Sequence, residues 1–325
     1  SPLLSDDLIL RYELDDPDSY GGSGDTVTDI ASDVNNGVSG PLNAVAENGP
    51  SFSSSDGAYL QFDGVDDYLL TENLYSRLSP TTSTDISVFA WVYPTGDGVI
   101  VSELGQSTID YGWHDSQIEM VDRKLAFRVW TGSFSTPSIV SDTIALNQWY
   151  YVGLTYSEGA LKAYVDGVSV DSKAMTRLAP NQSQSAGPYY GIGATDSTNL
   201  GDGGYGAFRL GAFHVYNAGL TDSQVAENYK ASCARFDDSC TQRTLYAQWQ
   251  VDTYAVTFSS GDDSSGSDVM ATKAYGASYT LPNSATSNGY FSRTGYTVSA
   301  WSLSSDGSSA DYDFGDTYST DAALT

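Results

Sequence analysis

The sequence has few basic residues, few cysteines and no long apolar segment. Its 325 residues include 14 Lys and Arg against 41 Asp and Glu, which gives a formal net charge of −27. A surface this acidic repels phosphate backbones, so we expect no nucleic-acid partner. No apolar run is long enough to cross a bilayer, and we expect no membrane insertion. The chain opens without a signal peptide and closes without a sorting motif, and its abrupt ends suggest part of a longer protein.

Helix-type periodicity is also scarce, whereas glycine (32 residues) and tyrosine (24 residues) are frequent. This composition is typical of β proteins with many turns. A chain of 325 residues is long enough for two domains. The sequence therefore predicts an all-β fold class with two domains.

The clearest strand pattern lies in residues 147–172, NQWYYVGLTYSEGALKAYVDGVSVDS. Side chains alternate between two faces from Trp149 to Tyr156, as expected for a strand. The turn at 157–160 and the turn Asp166-Gly167 then predict two hairpins. Together these signals predict a meander of three antiparallel strands in the middle of a sheet.

Two other segments predict strands that pair with this meander. Asp85 to Tyr93 is hydrophobic on both faces, which predicts a central strand buried between two sheets, with Trp91 in the core.

Thr221, with Gln224 three residues later, predicts the capped start of a short helix. In the strand before that helix, alternate residues are expected to share one face: Phe208, Leu210, Ala212, His214 and Tyr216.

These segments resemble the laminin G-like branch of the concanavalin A-like jelly rolls. The resemblance is carried, in the expected order, by AYLQFDGVDDYLL (58–70), DISVFAWVYPT (85–95), WYYVGLTY with LKAYVDG (149–167), and GAFRLGAFHVYNAGLTDSQVAENYK (206–230). It implies a concanavalin A-like jelly-roll β-sandwich over residues 1–232. Because such folds host many functions, the function has to be inferred from the site.

A second resemblance begins after a linker at 233–243. Residues 254–325, with YAVTF and RTGY among their motifs, are similar to the Listeria–Bacteroides or internalin B-type repeat. This implies a small β-grasp-like module over 244–325 and further repeats in the same long chain. The motif TLYAQW, normally the last strand, lies at 244–249. It either ends an incomplete preceding unit or, as we favour, fills the vacant edge of 254–325.

The only cysteines are Cys233 and Cys240. Two cysteines without a third or a nearby histidine make a poor zinc site. A local disulfide is the favoured interpretation and indicates an oxidising, extracellular setting, with two free thiols as the alternative.

The laminin G-like resemblance also implies a calcium site in the polar segment 15–40. Asp29, Asp33 and Asn35 fall at positions that match the family's calcium-binding motif, and their side chains are the oxygen ligands that calcium prefers. Asp33 and Val34 replace the small residues that are usual in the family, and Gly211 stands where the closing strand often carries an Asp. The alternative is a loop held by its own hydrogen bonds. The turn 63–67 also offers carboxylates, although Asp and Gly suit the turn itself.

Candidate ligand-binding residues lie in two long connections and on the strand between them. Sugars are recognised by flat aromatic faces together with polar groups that bind hydroxyls. The side chains of these types are Trp113, His114 and Asp115, then Arg128 and Trp130, then Asp202 and Tyr205. The alternative for Trp113 and Trp130 is that they pack beneath neighbouring loops.

No catalytic motif is present. Glucanases of this fold use paired carboxylates of the type E-x-D-x-x-E, whereas the glutamates here are isolated. We therefore expect a non-catalytic module that binds a glycan or glycoprotein, in a large secreted or surface-attached bacterial adhesin with the repeat as a stalk. The alternatives are a structural or protein-contact module and an accessory module of a polysaccharide-degrading enzyme.

Overall fold

The computed structural model describes residues 3–31, 40–78, 84–109, 114–132, 139–178, 187–195, 204–237, 240, 250–262, 266–283 and 290–325. The side chains of 114–116 are outside this description. The chain divides into two compact units, Ser1–Arg243 and Thr244–Thr325, here called unit 1 and unit 2.

The described residues of unit 1 form strands and one α-helix, α1 (Asp222–Ser232). Short 3-10 turns occur at Leu74–Arg77 and Cys233–Arg235. The strands are β1 (Leu8–Glu13), β2 (Thr26–Val27), β3 (Ala44–Glu47), β4 (Ser51–Ser53), β5 (Tyr59–Asp63), β6 (Tyr68–Thr71), β7 (Ile86–Pro94), β8 (Gly98–Leu104), β9 (His114–Val121), β10 (Lys124–Phe127), β11 (Ile139–Thr143), β12 (Tyr150–Ser157), β13 (Ala160–Val165), β14 (Val168–Ala174), β15 (Tyr189–Ile192) and β16 (Ala207–Tyr216).

These strands form two antiparallel eight-stranded sheets. Sheet A has the order β14-β13-β12-β7-β16-β5-β4, with β1 also paired to β16. Sheet B has the order β11-β10-β9-β8-β15-β6-β3-β2. The main hydrophobic core takes side chains from both sheets, for example Val88 and Leu154 from sheet A and Ile118 and Ile192 from sheet B. The prediction of an all-β jelly-roll sandwich is confirmed.

The predicted meander forms β12, β13 and β14. Tyr150, Val152, Leu154 and Tyr156 enter the main core, and Tyr151 lies on the opposite face. At both hairpins the two turn residues have positive φ: 52° and 76° at Glu158-Gly159, and 52° and 77° at Asp166-Gly167. Positive φ at both positions matches the right-handed twist of the flanking strands.

The central strand β7 is buried on both faces, but only one face meets the other sheet. Val88, Ala90 and Val92 join the main core. Phe89 and Trp91 belong to a second cluster, which lies beneath α1 and the segment that begins at Cys233 and ends at Cys240, here called the cysteine loop. The prediction that β7 lies between two sheets was therefore wrong for one face. The cover there is a helix and Phe236, whose ring centroid lies 4.8 Å from that of Trp91.

The prediction that alternate residues of β16 share one face was also wrong. The register with β7 shifts between Leu210 and Ala212. Phe208 and Leu210 therefore enter the main core, while Ala212 and Tyr216 lie on the outer face. The irregularity lies at Gly211, where an added Cβ would come 2.2 Å from the Phe236 ring. Such a bulge reverses the faces of the residues that follow it.

Helix α1 and the cysteine loop cover part of the outer face of sheet A. The Thr221 hydroxyl accepts from the Gln224 backbone N–H and the Gln224 side chain accepts from the Thr221 N–H, so the predicted capping box is present. The Trp91 indole Nε1–H donates to the Ser232 hydroxyl at 2.8 Å. Cys233 and Cys240 form the predicted disulfide, with Cα atoms 6.0 Å apart.

A charged network fastens this loop to sheet A. The Glu13 carboxylate is buried, with Arg11 Nε at 2.9 Å and His214 Nε2 at 3.0 Å from its Oε1, and Arg235 Nη2 bonded to its Oε2. Burial alone would raise the pKa of Glu13. The charges of His214, Arg235 and Arg11 overcome that effect and hold the pKa well below its usual range.

Unit 2 is smaller. It contains the hairpin β17 (Thr253–Phe258) and β18 (Val269–Ala274), and the pair β19 (Tyr279–Thr280) and β20 (Thr317–Tyr318). Its core includes Val256, Phe258 and Leu281. Leu324 forms a parallel bridge with Val256, on the edge of β17 away from β18. The TLYAQW motif at 244–249 lies outside the described residues, and the repeat assignment stays a prediction.

Gly153→Ala tests the close packing of β7 and β12. A Cβ at Gly153 would lie 2.1 Å from Phe89 Cδ1 and 2.5 Å from the Val88 carbonyl oxygen. We expect the free energy of unfolding of unit 1 to fall by about 2 kcal/mol or more. Thermal unfolding followed by circular dichroism measures the change. The control is Gly21→Ala, where nothing lies within 4 Å of the added atom. Equal midpoints for both variants would contradict this packing.

Glu13→Gln tests the charged network. Because the folded-state pKa of Glu13 lies below its unfolded value, ionised Glu13 stabilises the folded state above about pH 4.3. This contribution is lost as the pH falls through the folded-state pKa. We expect the variant to lose about 3 kcal/mol at pH 7 and the difference from wild type to shrink below about pH 4. Urea unfolding at several pH values measures it, with exposed Glu227→Gln as the control. A loss independent of pH would contradict the assigned role.

Candidate functional site

The outer face of sheet B carries a small hydrophobic cluster of its own. On β15, Tyr190 and Ile192 enter the main core, so Tyr189 points to the opposite face. Its cross-strand partner Leu104 and the neighbouring Leu70 lie on that same face. The outer face of sheet B is thus partly apolar, unlike a solvated sheet face of alternating polar residues.

The described ends of two long connections meet on this face. Ile109, after β8, packs with Ala194, after β15, and Tyr205 packs against the same cluster. Ala194 and Tyr205 also form an antiparallel bridge. The described ends of both connections, in which ligand-binding residues were predicted, therefore lie beside one surface.

Three half-buried tyrosines line this surface, which we call the tyrosine surface: Tyr68, Tyr189 and Tyr205, together with Asn73. The ring centroids of Tyr68 and Tyr205 are 6.4 Å apart. Asn73 Nδ2 donates to the Tyr189 hydroxyl at 3.4 Å. The arrangement offers flat apolar rings beside hydroxyl and amide groups, the combination that recognises a sugar ring.

Of the predicted ligand-binding residues, Tyr205 belongs to the tyrosine surface. Tyr68 and Tyr189 were missed. The alternation in YYGI marks Tyr189 as the residue opposite the buried Tyr190, but the sequence alone does not tell which of the two faces the other sheet.

Arg128 and Trp130 follow β10, and Arg128 forms an ion pair with Glu119. Arg128 Nη2 lies 3.9 Å from Glu119 Oε1, and the side chains are only 12% and 8% exposed. Trp130 is half-buried, and its carbonyl accepts from the Leu178 N–H at 2.8 Å. An arginine enclosed in this way is better placed to hold strands β9 and β10 together than to contact a ligand. Ligand contact by either residue stays a prediction.

The remaining predicted ligand-binding and metal-binding residues are largely outside the description. Trp113, Asp202, Asp33 and Asn35 lie outside the described residues. His114 and Asp115 begin β9, but their side chains are not described. Their roles stay predictions.

Asp29, the predicted calcium ligand within the description, is buried among protein donors. Its Oδ1 accepts from the N–H groups of Arg11 and Ala31, both at 2.9 Å, and its Oδ2 accepts from the Leu42 N–H at 3.2 Å. Arg77 Nη2 lies 3.4 Å from Oδ2. Burial raises the pKa of Asp29, and the three N–H groups and Arg77 oppose that rise. These contacts favour a structural role, and calcium binding by Asp29 stays a prediction.

The turn between β5 and β6 holds a second acidic group. One carboxylate oxygen from each of Asp63, Asp66 and Asp67 lies within 4.8 Å of the others. Asp63 Oδ1 accepts from the Val65 N–H at 2.7 Å, and Asp67 Oδ2 accepts from the Asp63 N–H at 3.1 Å. Burial raises the pKa of Asp67, and the charges of Asp63 and Asp66 add to the rise. The carboxylates thus shape the turn, and they are ligands of the type that divalent cations take.

Glu103 of sheet B faces an arginine. Glu103 is buried, with Arg177 Nη2 at 2.7 Å from its Oε1 and Gln117 Nε2 donating to its Oε2 at 2.9 Å. Burial raises the pKa of Glu103, against the effects of Arg177 and Gln117. Glu103 is thereby enclosed inside the sandwich, away from the tyrosine surface.

Comparison with known proteins identifies the family. Residues 63–226, just over half of the chain, match the laminin G-type profile of the concanavalin A-like lectin/glucanases superfamily. The chain belongs to the concanavalin A-like lectin/glucanase superfamily. The laminin G-like resemblance is therefore confirmed, and the tyrosine surface is a feature of a laminin G-type domain.

One relative and several solved structures are similar to this laminin G-type chain. A protein of Evansella cellulosilytica, provisionally named as a Gly-rich membrane protein, is 30% identical over 125 residues. The match covers 38% of this chain and 13% of that protein, so the chain spans only a small part of the relative's length. The described residues of this chain contain no helix that is both long and apolar enough to span a membrane.

The similar solved structures share 13–18% identity with this chain. The binding domain of Paraclostridial Mosquitocidal Protein 1 has a TM-score of 0.47 and 16% identity, covering 70% of this chain and 52% of that one. A Trypanosoma rangeli sialidase mutant has a TM-score of 0.47 and 13% identity, and the match covers 71% of this chain and 33% of that one. Domain 4 of the arabinanase AbnA from Geobacillus stearothermophilus, in complex with arabinotriose, has a TM-score of 0.44 and 18% identity. The match covers 68% of this chain and 98% of that one.

Proposed function

We propose that unit 1 is a carbohydrate-binding module whose ligand lies on the tyrosine surface. The observation that carries this proposal is the group of half-buried Tyr68, Tyr189 and Tyr205, with Asn73, on the outer face of sheet B beside the described ends of two long connections. Domains of this superfamily typically serve as binding modules. Long connections on a rigid sandwich are common places for ligand contacts.

The proposed chemistry is stacking combined with hydrogen bonding. The tyrosine rings present flat faces to the C–H surface of a sugar ring, while the Tyr189 hydroxyl and the Asn73 amide supply donors and acceptors. The predicted ligand-binding residues Trp113, His114, Asp115 and Asp202 lie in the flanking connections or beside them. They would complete the site from its rim.

Catalysis is not part of this proposal. Retaining glycoside hydrolysis needs an acid and a nucleophile about 5 Å apart. Among the described residues of sheet B, Glu103 and Glu119 each lie next to an arginine, and Glu103 is enclosed.

The proposed setting is a large extracellular or cell-surface bacterial protein that acts as an adhesin. The disulfide and the laminin G-type domain are consistent with an extracellular location. Unit 2 would serve as a stalk made of internalin B-type repeats. Within this proposal the partner is a glycan or glycoprotein.

Calcium is a proposed cofactor with two candidate positions. The first is the predicted set Asp29, Asp33 and Asn35. The second is the turn of Asp63, Asp66 and Asp67, which is followed directly by Tyr68 of the tyrosine surface. A cation at the turn would fix the start of β6, so calcium would act by ordering the site.

A second candidate function is contact with another protein. It is favoured by the pairing of Arg128 with Glu119, because an arginine that is held by a carboxylate is less available to a sugar. An accessory module of a polysaccharide-degrading enzyme remains the third candidate and would bind sugars through the same face.

A glycan array probed with the full chain, with calcium and again with a chelator, tests the proposal. We expect specific glycan binding that weakens about tenfold in Tyr189→Ala, because one ring face and one hydroxyl are lost. The matched control is Tyr275→Ala, which removes an exposed tyrosine of unit 2. Loss of binding in the chelator would support calcium, and unchanged binding would remove it from the mechanism. No binding in either condition would contradict the glycan proposal and favour the protein-contact function.

A further inference from the structure

A second surface on unit 1 lies on the outer face of sheet A, beside the part that α1 covers. We call it the Arg209 cluster: Tyr59, Gln61, Tyr93, Trp149 and Arg209. In the sheet, Arg209 stands opposite Gln61 of β5 on one side and Tyr93 of β7 on the other. The cluster therefore joins three neighbouring strands on the face opposite to the main core.

The Arg209 guanidinium is held in one place. Its Cζ lies 4.5 Å from the centroid of the Tyr59 ring and 4.4 Å from that of the Tyr93 ring. Its Nε donates to Gln61 Oε1 at 3.0 Å. Gln61 is itself fixed, because its Nε2 donates to the carbonyls of Phe62 and Phe208. The guanidinium thus has a preset position and orientation.

The outer edge of this guanidinium has no partner in the part of the chain that the structure describes. Among the described residues, no hydrogen bond or ion pair reaches Nη1 or Nη2 of Arg209, and neither atom is enclosed. The other described arginines that are at least partly buried all lie beside a carboxylate: Arg11, Arg77, Arg128, Arg177 and Arg235. In a chain with 41 acidic residues, an immobilised arginine with an open edge is an exception.

The groups around Arg209 are also donors. The Tyr59 and Tyr93 hydroxyls and the Trp149 indole N–H have no hydrogen-bond partner among the described residues and are not enclosed. Trp149 meets both tyrosine rings edge-on, at 6.1 and 5.5 Å between centroids. Donors outnumber acceptors at this surface, so it favours a ligand that supplies acceptors and negative charge.

From this arrangement we propose that the Arg209 cluster binds a saccharide carrying a carboxylate, as in a uronic acid. The planar guanidinium edge fits a carboxylate through two parallel hydrogen bonds. Arg209 carries one positive charge and the protein as a whole is strongly acidic, so the site balances the charge of a singly charged carboxylate better than that of a doubly charged phosphate. The neighbouring indole and phenol groups suit the hydroxyls and C–H faces of the sugar ring. This proposal uses different residues from the tyrosine surface and stands independently of it.

The test is an NMR titration of the full chain with galacturonate and, separately, with galactose, which lacks the carboxylate. We expect galacturonate to shift the Trp149 indole N–H resonance in a saturable way and galactose to leave it unchanged at the same concentrations. The Trp91 indole, whose N–H donates to Ser232 inside the protein, should not move. Trp149→Phe assigns the resonance.

Two variants test the role of the guanidinium. Arg209→Lys keeps the charge but loses the planar edge, and we expect affinity to fall roughly tenfold or more. Gln61→Glu places a carboxylate against Arg209 and should abolish binding while the arginine remains. The control is Arg123→Lys, an exposed arginine without an ion pair among the described residues. Circular dichroism confirms that each variant is folded.

Four outcomes would overturn the proposal. Equal shifts with galactose and galacturonate would remove the carboxylate from recognition, and no shift with either would remove the site. Unchanged affinity in Arg209→Lys would remove the guanidinium edge. Equal affinity for N-acetylglutamate amide would show that the surface takes acidic side chains of a protein partner, not a saccharide.

Discussion

The structure depends on covering the outer face of sheet A. Phe89, Trp91 and Tyr151 make that face as apolar as a core, so the sheet alone cannot remain in water. Helix α1 and Phe236 bury these rings. A helix of 11 residues has little stability of its own. Tertiary contacts therefore hold α1 in place: the Trp91–Ser232 hydrogen bond, the disulfide and the Glu13 network.

This cover decides where ligands can bind. Helix α1 and the cysteine loop lie on sheet A, so the outer face without this cover is that of sheet B, where the described ends of the two long connections meet. Sheet A keeps an uncovered strip beside Phe236, and that strip is the Arg209 cluster. One packing choice thus creates two surfaces with different chemistry, one of tyrosine rings and one of donors around a cation.

Local rules explain what could be predicted from the sequence. The two hairpin turns, the capping box and the disulfide depend on residues close together in the chain, and the alternation of β12 depends on one strand. The faces of β16 were mispredicted because the strand has a bulge at Gly211, where the Phe236 ring packs against the backbone. Gly211 and Phe236 are 25 positions apart in the sequence, so no local pattern encodes this contact. The same holds for the sites. Tyr68 and Tyr189 matter only because they share the outer face of sheet B, and Arg209 is fixed by Tyr59 and Tyr93 from strands that are distant in the sequence.

Hydrogen–deuterium exchange of the full chain, with and without a neutral glycan that it binds, tests the central claim that recognition occurs on the outer face of sheet B. The account predicts slower exchange in residues 68–73, 102–109, 189–195 and 204–206, with no change in α1 or in residues 250–325. Protection confined to unit 2, or to α1 and the cysteine loop, would contradict it.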